Sequence, residues 1–296
     1  MKVLKFGGTS VGSIESLLLV KEIVEACEEQ VIVVVSAMSG VTNELLAIVD
    51  EALKHRHAGY TARLHKLLKR HQSTIEAVVP REAQFQCSNA VESFVNDNLQ
   101  PLAEMLDVNT QLDGSMVEII RNAVVCHGEV LSSAIVSCMI AGAEPHFAPN
   151  FIKTCITGDA MVLDWKNTEE LVKKEFVGST VPVHVVQGFI ASDFATGMKT
   201  TLGRGGSDYT AAIIAAVLGA RQLEIWTDVD GFYDSDPRTN DQAKLIPEMT
   251  YEQAQKLCDA GAKVIYPPTI APVAVRHIPV LVKNTFNASA PGTLIN

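Results

Sequence analysis

Short apolar runs recur along the chain, and several of them end in Gly-rich or polar turns. Residues 3–6 form the first run, and residues 31–35 form an uninterrupted run of β-branched residues. Such a run is typical of a strand that helices cover on both faces. Between the two runs, apolar residues recur at helical spacing from Ile14 to Cys27. Strand, helix and strand in this order predict a parallel βαβ unit.

The same pattern returns in the second half of the chain. Strands are predicted over 181–186, 223–226 and 280–282, and a second βα pattern is predicted around 123–141 and then 144–148. Residues 211–218 are apolar on all sides, which predicts a buried helix, and Gly219 follows in the position of a C-terminal cap. The chain is therefore expected to adopt an α/β fold.

Residues 42–125 interrupt this pattern. They are mainly helical in periodicity and poor in Gly and Pro. We interpret this segment as a helical excursion from the sheet that serves as an interface or a lid. Residues 203–208 are the best candidate for a junction between two lobes.

Composition and charge narrow the classes of partner. The 296 residues are 47% hydrophobic, which suits a large α/β domain or two lobes that share a cleft. The net charge of −10 makes nucleic acid or an anionic membrane surface an unfavourable partner. No stretch approaches the ~20 apolar residues of a membrane span, and the N-terminus has no apolar signal core. The six cysteines form no Cys-x-x-Cys pair, so we expect reduced thiols in a cytoplasmic protein.

Two polar turns follow the first two predicted strands. In residues 5–10, paired glycines let backbone N–H groups approach a phosphate, and Lys5 supplies a cation. The segment is not a Walker A loop, because Ser13 stands where that motif requires Lys. A plain strand-to-helix turn is the alternative. The hydroxyls of residues 36–43 suit a polar substrate, although a helix N-cap at Ser39 or Thr42 is the simpler interpretation.

Two further turns carry charged residues. Glu129 can pair with a substrate ammonium group or merely stabilise a helix N-terminus, and His127 is better explained as a packed histidine than as a catalyst. Three glycines surround Arg204, whose guanidinium is a planar fork for a carboxylate or phosphate. Asp208 can orient Lys5. Ligands of open α/β sheets gather beyond the carboxyl ends of strands, so we expect the four turns to converge on one crevice.

A polar region follows the predicted strand 223–226. Its aspartates resemble a calcium loop, but Thr239 stands where the last ligand of that motif has to be Glu. A nucleotide site fits better, with Tyr233 for stacking and with Arg238 and Lys263 for phosphates.

Together these motifs resemble those of aspartokinases, which are amino acid kinases. The resemblance rests on residues 5–10, 203–208, 226–231, 236–238 and 261–264, which occur in the order of that family. Residues 224–227 and the wider spacing resemble most the kinase part of the bifunctional aspartokinase–homoserine dehydrogenases. The resemblance implies an open three-layer α/β/α sandwich with a mainly parallel central sheet. It also implies two lobes, of which residues 1–200 bind aspartate and residues 201–296 bind ATP.

The resemblance also implies roles for single residues. It implies that Thr42, Glu129, Phe189, Arg204 and Ser207 bind aspartate, with Arg204 on the α-carboxylate and Glu129 on the ammonium group. It implies catalytic roles for Lys5, Asp208 and Lys263. It implies a nucleotide site of Lys5, Gly7, Gly8, Thr9, Ser10, Thr227, Asp228, Tyr233, Arg238 and Lys263. The implied cofactors are ATP and Mg²⁺, and no metal ligand follows from the motifs.

Two features depart from the family pattern. Tyr266 stands where the family usually has His, which leaves the role of this position open. The chain ends at Asn296, where ACT regulatory domains or a dehydrogenase begin in longer members. We therefore expect a truncated form without feedback control by lysine or threonine.

The expected reaction is phosphorylation of the side-chain carboxylate of L-aspartate by ATP, the first step toward lysine, threonine and methionine. The expected partners are these small molecules and further copies of the chain. Three alternatives stay open. They are a sister kinase for acetylglutamate, glutamate or UMP, a catalytically silent binding module, and an assembly domain. Lys5, Asp208 and Lys263 argue against a silent module, and the Gly-rich turns argue against an assembly domain.

Overall fold

The computed structural model describes residues 1–108, 112–158, 160–235, 239–240 and 242–296, apart from the side chain of Ser115. The strands are β1 (Lys2–Phe6), β2 (Val31–Val35), β3 (Ala143–His146), β4 (Lys153–Thr157), β5 (Ala160–Leu163), β6 (Val183–Gln187), β7 (Ile190–Asp193), β8 (Lys199–Thr201), β9 (Leu223–Thr227), β10 (Glu248–Met249), β11 (Val280–Asn284) and β12 (Thr293–Ile295). Eight of them form one sheet in the order β10-β12-β11-β9-β1-β2-β6-β3. Only β11 and β12 pair antiparallel in this sheet. The predicted mainly parallel sheet is confirmed.

Helices cover both faces of this sheet. They are α1 (Ile14–Glu25), α2 (Val41–Leu53), α3 (His57–Val78), α4 (Arg81–Phe94), α5 (Gln100–Val108), α6 (Gly114–Val125), α7 (His127–Met139), α8 (Trp165–Phe176), α9 (Gly206–Leu218), α10 (Tyr251–Asp259) and α11 (Ile270–Val275). In β2, Val33 packs into a core with α1 to α7, whereas Val34 packs into a second core with α8 to α11. Alternate side chains of a strand point to opposite faces, so the β-branched run serves both cores. The predicted three-layer α/β/α sandwich is confirmed.

The predicted helical excursion consists of α2 to α6, with one wider helical turn at Val95–Leu99 between α4 and α5. The predicted buried helix is α9, and Gly219 ends it in the left-handed conformation that glycine adopts without strain. The predicted N-cap at Ser39 or Thr42 is wrong. Helix α2 begins at Val41 after Gly40, and no side chain caps it. The hydroxyl of Thr42 is thus left exposed beside the turn that follows β2.

The stretch Met116–Met139 is long and apolar enough to cross a membrane by length and composition, contrary to the expectation from the sequence. In the structure 67% of its apolar window is buried. Packing in the interior therefore accounts for its apolar residues.

The remaining four strands form a small sheet in the order β5-β4-β7-β8, which the sequence pattern did not predict. The main sheet itself runs without a break across residue 200, because β1 pairs with both β2 and β9. The division into an aspartate lobe and an ATP lobe therefore stays a prediction.

Candidate active site

The order of the central strands brings the predicted turns together. Strands β9, β1, β2 and β6 are neighbours and run parallel, so their carboxyl ends lie at one edge of the sheet. The turns after β1 and β2 start from this edge, and the first turns of α7 and α9 meet them there. A crevice at that edge is the expected ligand site of an open α/β sheet.

A cavity of about 270 Å³ lies at this meeting point. Its lining consists of Lys5, Ser36, Thr42, Glu129, Phe189, Gly203, Arg204, Gly205, Gly206, Ser207 and Asp208. All five residues predicted to bind the acceptor are therefore together in one cavity, with two of the three predicted catalytic residues. A second cavity of about 310 Å³ shares Ser36, Thr42 and Glu129 with the first and extends toward Gly8. We call the first of these the acceptor cavity.

Lys5 and Asp208 form an ion pair at the wall of the acceptor cavity. The Lys5 Nζ atom lies 2.6 Å from Asp208 Oδ1, and the two residues are 9% and 7% exposed. The backbone N–H of Tyr266 donates a hydrogen bond to Asp208 Oδ2 at 3.0 Å. Asp208 is thereby fixed from one side and holds Lys5 in place from the other.

Glu129 is a buried carboxylate that is only half satisfied. The N–H of Ala37 donates to Glu129 Oε1 at 3.2 Å, and Oε2 is buried without a hydrogen-bond partner among the described residues. Burial raises the pKa of Glu129 to about 8. Gly128 permits this placement, because a Cβ atom there would lie 2.7 Å from the Ala37 Cβ atom. An unpartnered buried acceptor is costly, and a hydrogen-bond donor on a ligand would remove that cost.

Arg204 extends from an exposed loop between β8 and α9. Gly203 and Gly205 have φ of 75° and 77°, values that glycine adopts without strain. A Cβ atom at Gly205 would overlap the Tyr266 ring, which packs on this loop. The loop therefore depends on glycine for its shape and on Tyr266 for support.

Phe189 reaches the acceptor cavity from a strained backbone position. Its φ is 68°, which is unusual for a bulky residue. Two hydrogen bonds hold it, from its N–H to Thr210 Oγ1 at 3.1 Å and from the N–H of Leu202 to its carbonyl at 2.8 Å. Strain that surrounding contacts maintain is common at functional sites.

The residues of the predicted phosphate loop, 5–10, differ in their exposure and contacts. The N–H of Ser39 donates to the Gly8 carbonyl at 3.0 Å, so the loops after β1 and β2 are joined. Thr9 is exposed. Ser10 is fully buried, and its hydroxyl donates to the Trp226 carbonyl at 3.3 Å and accepts from Thr285 at 2.7 Å. The side chain of Ser10 therefore braces the loop rather than facing a ligand.

The other predicted nucleotide residues surround the end of β9, outside the acceptor cavity. Thr227 ends that strand, Asp228 is exposed, and the Tyr233 hydroxyl donates to Asp230 Oδ2 at 3.3 Å. Lys263 is exposed in the segment after α10. The predicted contact of Arg238 lies outside the described residues.

His127 is buried, as its sequence context suggested. Its Nδ1 lies 2.8 Å from the carbonyl of Ala123, and its ring packs on Phe94. Burial lowers the pKa of His127 to about 4, so the ring is neutral at pH 7. The histidine supports the start of α7, which carries Glu129.

Sequence reasoning pointed to the turn of residues 36–43 but missed three specific contacts of the site. Ser36 lines both cavities, the Ala37 N–H fixes Glu129, and the Tyr266 N–H fixes Asp208. Two of these contacts are made by the backbone, which leaves no signal in residue type. The glycine beside Glu129 was the one available signal, because a glycine inside a helix often marks close packing.

Comparison with known proteins supports the same family. The bifunctional aspartokinase/homoserine dehydrogenase 1 of Arabidopsis thaliana, a chloroplastic protein, is 34% identical over 98% of this chain and 32% of its own length. The chloroplastic aspartokinase 1 of the same plant is 31% identical over 99% of this chain and 51% of its length. The chain thus spans about a third to a half of these relatives. The resemblance to aspartokinases is confirmed.

Solved structures agree with this relationship. The crystal structure of E. coli aspartokinase III in complex with aspartate and ADP is 29% identical and superimposes with a TM-score of 0.82, over 100% of this chain and 64% of that one. The amino acid kinase family matches residues 1–284 of the sequence. Because that match takes in every strand of the main sheet except β12, the chain belongs to the amino acid kinase family.

Proposed function

We propose that this chain is an aspartate kinase that transfers the γ-phosphoryl group of ATP to the side-chain carboxylate of L-aspartate, giving 4-phospho-L-aspartate. One observation carries the proposal. Glu129 and Arg204, a carboxylate and a guanidinium, line the same small cavity as the Lys5–Asp208 ion pair. A free amino acid offers an ammonium group and a carboxylate, and each finds a partner of opposite charge there.

Recognition of aspartate divides between two residues. Glu129 Oε2 is buried without a partner and accepts the substrate ammonium group. Arg204 is exposed at the rim and pairs with the α-carboxylate through its planar fork. The side-chain carboxylate then points toward Lys5. UMP and N-acetylglutamate lack a free ammonium group, so they leave Glu129 unpaired.

The reaction needs no general base, because the acceptor carboxylate is already ionised at neutral pH. Catalysis then consists of positioning and of stabilising the negative charge of the transferring group. Lys5 supplies a buried cation for that charge, and Asp208 holds its Nζ atom at 2.6 Å. Lys263 is the second predicted catalytic cation and lies exposed after α10.

The nucleotide is proposed to bind across the ends of β1 and β9. Gly8 and Thr9 contribute backbone donors for phosphates, whereas the Gly7 N–H already donates to the Trp226 carbonyl at 3.1 Å. Thr227 and Tyr233 lie beside the end of β9. Mg²⁺ accompanies ATP and neutralises phosphate charge when bound. Asp228 is exposed at the end of β9 and is a carboxylate of the type that Mg²⁺ prefers.

The relatives are consistent with this activity. The similar crystal structure of E. coli aspartokinase III is a complex with aspartate and ADP. Both plant relatives have aspartokinase in their names. The proposal concerns the kinase reaction alone. We also propose that the protein is cytoplasmic, which rests on its free cysteines, and that it associates with further copies of itself, which rests on the family resemblance.

The test is ATP turnover by the purified chain with L-aspartate, N-acetylglutamate, L-glutamate and UMP in parallel, with acyl phosphate trapped by hydroxylamine. We expect hydroxamate with aspartate alone. Hydroxamate with L-glutamate or N-acetylglutamate instead, or turnover of UMP without hydroxamate, would show that aspartate is not the acceptor. ATP binding without turnover for any acceptor would contradict the proposal.

A further inference from the structure

A second cluster of ionisable side chains lies at the amino end of β6. Glu144 and His146 belong to the edge strand β3, and His184 belongs to the neighbouring strand β6. The register places Glu144 directly opposite His184. Residues two apart in a strand point to the same side, so all three side chains share one face of the sheet. Phe176 of α8 packs on this face, with ring centroids 4.9 Å from His146 and 5.3 Å from His184.

The two histidines are already held in a fixed arrangement. His146 Nε2 and His184 Nδ1 lie 2.8 Å apart, and His146 Nδ1 lies 2.7 Å from Glu175 Oε1. One ligand atom from each of Glu144, His146 and His184 lies within 4.8 Å of the others. Both rings are buried, whereas Glu144 is exposed and leaves a path from solvent.

We propose that Glu144, His146 and His184 bind a divalent transition-metal ion of the zinc class. Two imidazole nitrogens and one carboxylate are a common protein ligand set for Zn²⁺, with a water in the fourth position. Imidazole selects such ions against Mg²⁺ and Ca²⁺, which prefer oxygen ligands. Glu175 supplies the supporting contact that metal-bound histidines usually have, a carboxylate on the other ring nitrogen.

The proton between the rings has to leave when the ion binds. With Glu175 accepting from His146 Nδ1, the shared proton belongs to His184 Nδ1 in the neutral pair. Metal–nitrogen distances of about 2.0–2.1 Å place two tetrahedral ligands about 3.4 Å apart, so the rings separate by about half an ångström. The His184 proton moves to Nε2, and the ring stays neutral.

Gln30 opposes this rearrangement. Its Nε2 lies 3.3 Å from His184 Nε2 and donates to the carbonyls of Ser179 and Val181 at 3.0 and 2.8 Å. After binding, the His184 Nε2–H would point at the Gln30 amide nitrogen, which cannot accept a hydrogen bond, so the Gln30 side chain has to turn aside. Removing this side chain should therefore tighten metal binding.

The cluster is separate from the acceptor cavity. His184 stands three residues before Gln187, where β6 ends, which is about 10 Å along a strand. The acceptor cavity lies beyond that end, and none of the three ligands lines it. An ion at this position would brace the short edge strand β3 against β6 without touching the reacting groups.

The experiment titrates Zn²⁺ alone into the metal-stripped full chain by calorimetry and follows Co²⁺ binding by its visible absorption. We expect one saturable ion per chain. Glu144→Gln, an exposed change that spares the fold, should weaken binding at least tenfold, as should His184→Gln. Glu175→Gln should weaken binding about tenfold, the size expected for a supporting contact, and Gln30→Ala should strengthen it.

The control is His57→Gln, which alters a histidine beside Asp107 without changing the proposed ligands. His57 begins α3, which packs into a different core from the one that contains Phe176. Its affinity for Zn²⁺ should equal that of the unaltered chain. Absence of a one-to-one site, or a loss of affinity in His57→Gln rather than in Glu144→Gln, would overturn the proposal. Kinase turnover of Glu144→Gln should be unchanged, so this result is independent of the proposed function.

Discussion

At the scale of single residues, Glu129 combines a cost to the stability of the fold with the role proposed for it in binding the substrate. Glu129 is 6% exposed, accepts one backbone hydrogen bond and leaves Oε2 unpaired. Burial raises its pKa to about 8 from a usual value of 4.5. The folded state therefore favours the protonated form, whereas an ammonium ligand favours the carboxylate. Stability of the empty protein and binding of an ammonium ligand therefore favour opposite protonation states of the Glu129 carboxyl group.

Glu129→Gln is expected to stabilise the empty protein in a pH-dependent way. A raised folded pKa gives a contribution to stability that is complete below pH 4.5 and lost as the pH rises through 8. Relative to the unaltered chain, the variant should gain on the order of 5 kcal/mol at pH 8.5 and little at pH 4.5. Denaturant unfolding at both pH values measures the difference.

The same substitution should raise the KM for aspartate at least tenfold, because the ammonium group loses a charged partner. In the unaltered chain the KM should fall as the pH rises from 6.5 to 8.5, and this dependence should vanish in Glu129→Gln. An equal pH profile for both proteins would remove Glu129 from ammonium recognition.

Lys5 is expected to act on turnover far more than on binding. Loss of a cation that stabilises a transferring group typically costs 10²–10³-fold in rate. Lys5→Ala should therefore lower kcat by about that factor, with a smaller change in the KM for aspartate. Lys2→Ala is the matched control, since Lys2 lies in the same strand and pairs with Glu224 on the other face. Similar losses in both variants would point to strand stability rather than catalysis.

Some contacts of single residues could be predicted from the sequence, and others could not. The ion pair between Lys5 and Asp208 was predictable, because the charged pair follows from two recognisable motifs. The buried role of Ser10 was not predictable, because a hydroxyl after a Gly-Gly pair suits a phosphate as well as a carbonyl. At Tyr266 the contact to Asp208 comes from the backbone N–H. Replacement of the family's usual histidine therefore leaves that hydrogen bond available.

At the scale of elements, the helical excursion is tied to the ligand-binding turns. Arg70 of α3 donates to the Ser39 carbonyl at 2.9 Å and to the Gly12 carbonyl at 3.0 Å. These carbonyls belong to the loops after β2 and β1. One guanidinium thus joins the two loops from outside, while the bond from Ser39 to Gly8 joins them from within. The helical excursion, which the sequence suggested as an interface or a lid, therefore also holds the loops after β1 and β2 together.

Arg70→Ala is expected to loosen both loops with little effect on the fold. Partly exposed hydrogen bonds contribute modestly, so the free energy of unfolding should change by about 1 kcal/mol or less. The apparent affinity for ATP should fall about tenfold, because the Gly7–Thr9 backbone loses its fixed position. Arg63→Ala removes an ion pair between α3 and Glu44 of α2 instead. Its ATP affinity should stay unchanged, and a parallel loss there would contradict the clamp.

Burial and strand length together decided which strands could be predicted. Strands β1, β2, β6 and β9 are largely buried, and β11 is partly buried; their apolar runs revealed them. The small sheet was missed because its strands are short; β5 and β8 are also partly exposed, whereas β7 is buried but only four residues long. The start of α2 was misplaced because Gly40, with φ of 81°, begins the helix without a capping side chain. A glycine at the N-cap has no side-chain hydroxyl or carboxylate by which the start of the helix could be recognised in the sequence.

At the scale of the whole molecule, the site draws on both ends of the sequence. Lys5 and Glu129 come from the first 200 residues, whereas Arg204 and Asp208 come from the remainder. The single sheet permits this, because β1 lies between β2 and β9. The Lys5–Asp208 ion pair is therefore a buried link between the two parts of the chain that the family resemblance assigns to aspartate and to ATP.

Asp208→Asn should destabilise the protein by about 3 kcal/mol, because it leaves the Lys5 ammonium buried without a carboxylate. A phosphate group bound beside Lys5 would replace the lost charge, so ATP should raise the Tm of this variant more than it raises that of the unaltered chain. The double variant Lys5→Met, Asp208→Asn removes both charges and should be more stable than Asp208→Asn alone. If the double variant is the less stable of the two, or ATP raises both Tm values equally, Lys5 is not an unpaired cation that faces the nucleotide. The pair would then serve to hold the two parts of the chain together rather than to receive a phosphate.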